Sequence, residues 1–400
     1  MKKKILQINV VANSASTGRI TEGIGISAMS CGFKSYVAYG RWANPSQSEL
    51  ITIGSRKDYL WHGVESRIFD NHGHASRRAT ADFLKTVEKI SPDIIHLHNI
   101  HGYYLNYPML FEFLAMAKIP VVWTLHDCWP FTGHCAYYDY CGCNRWKTQC
   151  YDCPQKKTYP ASFLFDRSRQ NYADKKHFFT LPENMTLVPV SKWLANQVAE
   201  SFLKDYPGKL IYNGIDTEVF RPYDQNEMKE QFGWQNKKIL LGVASTWTQR
   251  KGLKDFISLS QELPSEYHIV LVGVNDKQKK NLPPNITAIS RTESTAELAR
   301  LYSAADVFVN PTWEDNYPTT NLEAIACGTP VVTYRTGGSP ESVKEGNGII
   351  VDKGNLLQLK DALMQVRKNT ESCRAYALQN FRMQDRFEEY IDLYNQLLKN

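Results

Sequence analysis

Two acidic residues in the second half of the chain have the spacing of a ligand-binding pair. Asp315 and Glu323 bracket a polar loop and the first turn of a helix that we expect to begin near Thr319, after the apolar run of residues 306–309. Carboxylates accept hydrogen bonds from sugar and ribose hydroxyls, and the amides at a helix N-terminus attract phosphate. The loop therefore predicts a site for a phosphorylated sugar. The alternative is that Asp315 caps the loop and Glu323 is a solvated helix residue.

Two adjacent cations precede another predicted helix. Arg250 and Lys251 follow the apolar run of residues 239–244 and stand just before Gly252. A helix N-terminus disfavours cations unless an anion is present, and a diphosphate would satisfy both side chains. We expect an anion here; an exposed basic turn is the alternative.

Polar residues also follow apolar runs in the first half of the chain. His126 comes directly after residues 121–125, and a loop of small residues that contains Gly18 follows the first apolar run. Ligands of open parallel sheets bind at the carboxyl ends of the strands, so His126 is a candidate ligand contact. A lone histidine is otherwise more often structural, and we expect that role for His96 and His98.

Six of the nine cysteines lie between Cys128 and Cys153. An odd number of cysteines without a signal peptide argues against a disulfide framework. Two residues separate Cys150 from Cys153, which is the spacing of a chelating knuckle, and Cys135 and Cys143 could complete a tetrahedral thiolate set. We expect a structural zinc ion on these four cysteines. Free or buried thiols are the alternative, and Cys141 could replace Cys143.

The elements that position these residues follow a regular alternation. Short β-branched runs alternate with segments of helical periodicity, which predicts βαβ units and parallel sheets. Strands are predicted at residues 5–11, 35–39, 94–98, 121–125, 186–190, 210–212, 239–244, 268–272, 286–289, 307–310 and 331–334, and helices include residues 18–30, 79–90, 108–117, 192–202, 253–262, 294–303 and 320–327.

The length of 400 residues suggests two domains. The alternation pauses at a Cys-rich stretch and again where a fresh strand restarts it near residue 238. We predict a first domain at residues 1–225 with a Cys-rich insertion at 128–159, and a second domain at 226–383. The final helix, residues 384–400, carries a stripe of apolar side chains, and we expect it to pack back on the first domain.

Composition and charge narrow the function classes. The net charge of +6 is mildly basic, which fits anionic small molecules or an anionic lipid surface and is too weak to indicate nucleic acid. No apolar run is long enough to span a membrane, and the apolar part of the N-terminus is short and broken for a signal peptide, so we expect a cytoplasmic protein. The cations of residues 166–179 mix with Phe163, Phe165, Phe178 and Phe179. This stretch suggests peripheral contact with the inner face of the membrane or, alternatively, a solvated face with core aromatics.

The acidic pair belongs to a longer pattern that resembles a known family. With Asp315 ahead of it, the run Glu323-Ala324-Ile325-Ala326-Cys327-Gly328-Thr329-Pro330-Val331-Val332 resembles the donor-binding motif of retaining glycosyltransferases of family 4. These have the GT-B fold, an α/β fold in which two Rossmann-like domains face a cleft. Asp315 stands where the family usually has Glu, so Glu314 is its rival as the first acid. Pro318 stands where Gly is common.

The resemblance implies roles for individual residues. The first acid and the backbone after it, here Asn316 and Tyr317, would hold the donor sugar, and Glu323 would bind the ribose. Pro318 has no N–H, so the amide donors to phosphate would be Thr319 and Thr320. Lys251 matches the family's Lys-Gly, whereas Thr246 stands where an Arg is expected, so Arg250 would supply the second charge on the leaving diphosphate. Gly18 would face the donor phosphates and border the acceptor site, and His126 would contact the transferred sugar.

The Cys-rich run resembles an insertion in a subgroup of these enzymes from bacterial polysaccharide loci. The implied function is retaining transfer of a sugar, hexosyl in kind, from a UDP- or GDP-linked nucleotide-sugar to a glycan or lipid-linked glycan of a surface polysaccharide such as capsule. No cofactor would be needed for catalysis, and no metal at the diphosphate. A nucleotide-sugar epimerase on the same fold, or a non-catalytic zinc-containing sugar-binding module, are the alternatives.

Overall fold

Residues 2–399 are described by a computed structural model, and they divide into two units. Unit 1 comprises the residues up to Tyr212 and those from Arg386 onward, and unit 2 comprises Asn213–Asp385. No helix within residues 2–399 is long and apolar enough to cross a membrane.

Unit 1 is built on a parallel sheet. Its strands are β1 (Lys4–Asn9), β2 (Lys34–Tyr39), β3 (Glu49–Thr52), β4 (Ile94–Leu97), β5 (Val121–Leu125) and β6 (Met185–Pro189), in the order β3-β2-β1-β4-β5-β6. Its helices are α1 (Ala15–Ser30), α2 (Arg56–Phe69), α3 (Arg77–Ile90), α4 (Tyr107–Ala117), α5 (Ser168–Phe179) and α6 (Lys192–Ala199). Between β5 and α5 the regular structure is limited to three short 3₁₀ turns, Trp129–Phe131, Asp139–Cys141 and Arg145–Lys147.

Unit 2 repeats the plan. Its strands are β7 (Lys238–Val243), β8 (Tyr267–Val272), β9 (Ile286–Ile289), β10 (Val307–Asn310), β11 (Val331–Tyr334) and β12 (Gly348–Val351), in the order β12-β11-β10-β7-β8-β9. Its helices are α7 (Gln225–Gln231), α8 (Leu253–Glu262), α9 (Asp276–Lys279), α10 (Thr295–Ala304), α11 (Thr319–Ala326), α12 (Leu356–Gln365) and α13 (Thr370–Asn380), and the chain ends with α14 (Met383–Leu397).

Each sheet has one point where the strand order reverses. In unit 1 it lies between β1 and β4, and in unit 2 between β7 and β10. The connections after two such neighbouring strands leave in opposite directions, which opens a crevice at their carboxyl ends where ligands bind. The loops after β7 and β10 contain Arg250, Lys251 and Asp315, and Glu323 lies in α11, which follows the second loop.

The predicted α/β architecture with parallel sheets is confirmed, and the strands that the pattern misses lie at the edges of the sheets. The pattern does not predict β3 or β12, which are four-residue strands at the ends of their sheets. The strand predicted at residues 210–212 is wrong. Residues 207–211 run beside β6 through three backbone hydrogen bonds, but these give only an isolated bridge between Leu187 and Gly208 and no strand. The helix predicted at 192–202 ends at Ala199.

A chain of buried hydrogen bonds holds α14 against the sheet of unit 1. The Tyr394 hydroxyl lies 2.6 Å from His96 Nδ1, and His96 Nε2 lies 2.8 Å from the Thr124 hydroxyl. Thr124 in turn donates to the Tyr390 hydroxyl at 3.1 Å. Burial lowers the pKa of His96 well below its usual value, so the ring is neutral and each nitrogen needs one partner. His96 thus has the structural role expected for it.

We predict that Tyr394→Phe lowers the free energy of unfolding by about 1–3 kcal/mol, because it leaves His96 Nδ1 buried and unpaired. Urea denaturation of the variant measures the change. The matched control is Tyr151→Phe, which removes a hydroxyl from an exposed tyrosine and should be nearly neutral. Equal effects of the two substitutions would contradict the anchoring role of Tyr394.

Candidate active site

The loops after β7 and β10 meet in unit 2. We call residues 244–252 the cationic loop and residues 311–318 the acidic loop. The Trp313 N–H donates to the carbonyl oxygen of Arg250 at 2.8 Å. Gly252 has φ +78°, and a Cβ added there would lie 2.2 Å from the carbonyl oxygen of Pro311, so only glycine permits this approach. The two loops therefore form one structure.

Opposite charges from the two loops pair directly. Lys251 Nζ contacts the Asp315 carboxylate, and the Arg250 guanidinium donates to the carbonyl oxygen of Glu314. The side chains of Lys251 and Asp315 are 24% and 16% exposed. Burial by itself would raise the pKa of Asp315, but the charges of Lys251 and then Arg250 outweigh it and lower that pKa below its usual value. Asp315 is therefore a carboxylate at neutral pH.

The two rivals for the first acid occupy different environments. Glu314 is fully buried, and its carbonyl oxygen also accepts from the Thr312 hydroxyl at 3.1 Å. Asp315 keeps some exposure, and its carbonyl oxygen accepts from Gly338 N–H at 3.0 Å. A Cβ on Gly337 would lie 1.9 Å from that same oxygen. Sequence reasoning missed this support, for which the Gly337-Gly338 pair after β11 was the available signal.

The acidic loop ends at the N-terminus of α11. Pro318 is the N-cap residue, and its side chain makes no capping hydrogen bond. Asn316 and Tyr317 are buried, whereas Thr319 and Thr320 are half-buried. The first turn of α11 is therefore partly exposed close after Asp315 in the chain. A phosphate can reach free backbone amides only where a helix end is accessible in this way.

A buried asparagine fixes this helix end. The Asn321 oxygen accepts from Asn310 Nδ2 at 2.8 Å, and its amide nitrogen donates to the hydroxyls of Ser339 at 3.1 Å and Ser342 at 3.2 Å. Asn321 is fully buried. Its hydrogen bonds join β10, α11 and the turn after β11.

Two further residues position the predicted ones, and no spacing in the sequence indicates them. The hydroxyl of the buried Tyr302 donates to Glu323 Oε2 at 3.0 Å. In the first turn of α8, Asp255 accepts from Trp313 Nε1 at 2.9 Å and from the Tyr334 hydroxyl at 2.8 Å. Tyr302 thus orients the second acid, and Asp255 ties the acidic loop to α8.

In unit 1, His126 stands at the carboxyl end of β5 in a chain of hydrogen bonds. Gln7 Nε2 donates to the Thr21 oxygen, so Gln7 Oε1 accepts from His98 Nε2 at 3.1 Å. His98 Nδ1 must then accept from His126 Nε2, 3.1 Å away. Burial lowers the pKa of His126 to about 4, so the ring is neutral and its Nδ1 is an acceptor. His126 can hydrogen-bond a hydroxyl but cannot supply positive charge near pH 7.

Gly18 lies in the first turns of α1, at the point where the strand order of unit 1 reverses. A Cβ added to Gly18 would lie 3.1 Å from Val11 Cγ2 and 3.2 Å from Asn13 N, so the loop after β1 packs tightly on it. Asn9 Oδ1 accepts from Asn99 N–H at 3.2 Å. This bond links the ends of β1 and β4.

A buried pair of a histidine and an aspartate next to His126 was not predicted from the sequence. His101 Nε2 lies 2.8 Å from Asp127 Oδ2, and Asp127 Oδ1 accepts from Trp129 N–H at 2.9 Å. Burial would raise the pKa of Asp127, but the charge of His101 and these hydrogen bonds lower it. The His126-Asp127 dipeptide at a strand end was the available signal.

The four predicted metal ligands line one small cavity. Cys135, Cys143, Cys150 and Cys153 surround it together with His134. His134 Nδ1 lies 2.6 Å from Asp70 Oδ1, and its buried Nε2 has no hydrogen-bond partner among the described residues. Within residues 2–399, however, no three His, Cys, Asp or Glu side chains are arranged to hold a metal ion. The zinc site stays a prediction. Cys141, whose thiol donates to the Tyr138 oxygen, does not line this cavity.

Two families match most of the chain between them. Residues 30–219 match Glycosyltransferase Family 4, and residues 224–382 match Glycosyl transferases group 1. The putative colanic acid biosynthesis glycosyl transferase WcaC of Escherichia coli (strain K12) is 26% identical over 98% of this chain and 100% of its own length. The N,N'-diacetylbacillosaminyl-diphospho-undecaprenol alpha-1,3-N-acetylgalactosaminyltransferase of Campylobacter jejuni is 28% identical over 47% of this chain and 54% of its own length.

Solved structures share the fold at low sequence identity. Sucrose-phosphate synthase from Thermosynechococcus elongatus matches over 100% of both chains, with a TM-score of 0.73 and 16% identity. Anabaena Alr3699/HepE in complex with UDP-glucose matches over 98% of this chain and 99% of its own, with a TM-score of 0.66 and 15% identity. The predicted GT-B fold is confirmed. The chain carries a Glycosyltransferase Family 4 domain followed by a Glycosyl transferases group 1 domain, which makes it a glycosyltransferase of the GT-B fold.

Proposed function

We propose that this protein is a retaining glycosyltransferase that moves a sugar from a UDP- or GDP-linked donor to a glycan or lipid-linked glycan in bacterial surface polysaccharide biosynthesis. The observation that carries the proposal is the pairing of Lys251 with Asp315, four residues before α11, whose N-cap residue is a proline. The relatives support the process and the acceptor class, since one is named for colanic acid biosynthesis and another for transfer to a diphospho-undecaprenol-linked sugar.

Unit 2 would hold the donor. Lys251 has three donors, so its ammonium can contact Asp315 and a phosphate oxygen at once. Arg250 would neutralise the second phosphate, and the amides of Thr319 and Thr320 would complete the anion site. Glu323, oriented by Tyr302, would accept from the ribose hydroxyls.

The sugar would lie against Asp315 and the backbone of Asn316 and Tyr317. The acceptor hydroxyl would attack the anomeric carbon on the face from which the diphosphate departs. The carbon–oxygen bond to the diphosphate breaks, the new carbon–oxygen bond forms, and the leaving phosphate oxygen takes the hydroxyl proton. Lys251 and Arg250 stabilise the charge that develops on that oxygen. The neutral His126 would hydrogen-bond a sugar hydroxyl.

The direct test is incubation with a panel of UDP- and GDP-sugars and a polyprenyl-diphosphate-linked sugar acceptor, followed by proton NMR of the product anomer. The proposal expects a transferred sugar with the anomeric configuration of the donor. An inverted product would contradict the retaining reaction. Conversion of the donor to an isomer without transfer would support the epimerase alternative instead.

We predict that Lys251→Ala lowers the turnover rate by roughly 10²–10³-fold with the fold intact, because the charge acting on the leaving diphosphate is lost. The matched control is Lys254→Ala, an exposed lysine in the next turn, which should retain activity. Steady-state kinetics at saturating donor measure both variants. Nearly full activity of Lys251→Ala would contradict the phosphate assignment.

We predict that Glu323→Gln and Asp315→Ala affect different kinetic constants. Glu323 would meet the ribose, which does not react, so Glu323→Gln should raise KM for the donor. Asp315 would meet the reacting sugar, so Asp315→Ala should lower kcat more. A change in kcat alone for Glu323→Gln would contradict this division. A larger loss with Glu314→Ala than with Asp315→Ala would move the role of the first acid to Glu314.

We also propose that Cys135, Cys143, Cys150 and Cys153 bind one structural zinc ion. The support is that all four cysteines line a single cavity, beside His134, whose buried Nε2 has no described partner. Binding would require the cysteine side chains to turn toward a common point. Asp70 holds the other nitrogen of His134, as carboxylates commonly hold histidines at zinc sites.

We predict about one zinc ion per chain in protein purified without chelator, and a lower thermal midpoint after chelation, because a structural metal contributes to folding. Cys143→Ser should lose the metal, whereas the control Cys141→Ser should keep it. Elemental analysis with thiol titration measures both. Protein that contains no zinc and shows all nine thiols free would contradict the site.

A further inference from the structure

An exposed apolar surface lies on unit 1. Its members are the large apolar side chains exposed on α2 and on the segment that follows the Cys-rich stretch, namely Leu60, Trp61, Val64, Phe69, Phe163, Leu164 and Phe165; we call this surface the apolar ridge. Trp61 is 63% exposed and Leu164 is 65% exposed. Leu60, Trp61 and Val64 share one face of α2 by their spacing. The rings of Phe69 and Phe165 stack with their centroids 5.9 Å apart, which joins the two parts of the ridge.

The ridge is held in place by backbone hydrogen bonds. Phe163 N–H donates to the Arg67 oxygen at 2.7 Å, and Phe165 N–H donates to the Ile68 oxygen at 3.3 Å. Two residues later, Arg167 N–H donates to the buried Asp70 carboxylate at 2.8 Å. Three consecutive apolar residues are therefore fixed outward against the end of α2. An exposed contiguous apolar surface of this kind marks an interaction site.

Cations flank the ridge. Arg56 and Lys57 are exposed in the first turn of α2. Lys157 and Arg169 are also exposed, and they precede and follow residues 163–165 along the chain. The ammonium of Lys156 donates to the Leu164 oxygen at 3.4 Å, so a positive charge lies next to Leu164 in the ridge.

The nearby acids are engaged locally. Asp58 forms the capping box of α2, Glu65 accepts from Trp61 Nε1 at 2.8 Å, and Asp166 accepts from Cys153 N–H at 2.6 Å. These three carboxylates keep their negative charge, but the five cations named above outnumber them, so the surroundings of the ridge are positive on balance.

We propose that the apolar ridge inserts into the surface of an anionic lipid bilayer. Aromatic and leucine side chains with lysines beside them fit the interfacial zone, where the rings enter the acyl boundary and the cations meet the headgroups. A second copy of the chain fits less well, because a two-fold contact would bring the cations of both ridges together. The proposed function supplies the reason for membrane binding, because the enzyme would need access to a lipid-linked acceptor. Only this reason rests on the proposed function.

The ridge shares Phe163 and Phe165 with the stretch that the sequence suggested for membrane contact, but it does not include the aromatic residues of α5. In residues 166–179 the aromatic rings point inward: Phe179 is fully buried, with its ring 5.0 Å from that of Trp123. Lys175 is also buried and donates to the Trp129 oxygen at 2.8 Å. The core-aromatic alternative therefore holds for α5, and the exposed apolar side chains precede it.

The test is flotation of the full chain with vesicles of phosphatidylglycerol and phosphatidylcholine in equal parts, against vesicles of phosphatidylcholine alone. We expect the protein to float with the anionic vesicles and less so at high salt. Trp61→Glu and Leu164→Glu should each reduce binding by about tenfold or more, because a charge replaces an inserted apolar group. The matched control is Met116→Glu, at a site 75% exposed in the same unit, which should bind as the unchanged protein does.

Absence of flotation, or equal binding by Trp61→Glu and the control, would overturn the proposal. Concentration-dependent dimerisation that Trp61→Glu abolishes, without vesicle binding, would assign the ridge to a second copy instead. Transfer of sugar to a water-soluble acceptor is measured in parallel. Retained transfer with no vesicle binding would reject only the membrane surface, and bound protein without transfer would reject only the proposed function.

Discussion

The ion pair between Lys251 and Asp315 is the constraint on which the site of unit 2 depends. Both side chains are largely removed from water, and a buried charge is tolerated only when it is paired and hydrogen-bonded. The pair forms because the loops after β7 and β10 leave neighbouring strands at the point where the strand order reverses. Gly252 permits the backbones to touch. An anion that enters here meets cations whose positions are already set, which lowers the cost of reorganisation on binding.

Buried polar groups fix the remaining site residues. Asn321 joins three elements beneath the start of α11. Asp255 holds the acidic loop through Trp313, and Tyr302 holds Glu323. In unit 1 the series from Gln7 through His98 does the same for His126 and selects its tautomer. Such networks stabilise only when every member is satisfied. Substitutions at these positions should therefore change the site without touching a ligand.

Much of the fold and part of the site could be predicted from the sequence, because those features are local in the chain. The alternation of apolar runs and helices predicts both parallel sheets. Arg250, Lys251 and Asp315 lie in the loops that follow two of the strands, and Glu323 lies in the helix after the second loop. Tyr302 and Asp255 could not be predicted, because they reach their partners only through tertiary packing. The pattern also misses α2, since the exposed side of this helix is apolar and the usual contrast between its faces is lost.

We propose that the paired loops of unit 2 form a site for a nucleoside diphosphate that needs no metal. Isothermal titration of UDP and GDP into the protein in the presence of a chelator tests it most directly, with the corresponding monophosphates as comparison. We predict that either UDP or GDP binds at one site per chain. Its affinity should exceed that of the corresponding monophosphate and should fall as the salt concentration rises. Binding that appears only after a divalent cation is added, or equal affinity for the diphosphate and the monophosphate, would contradict it.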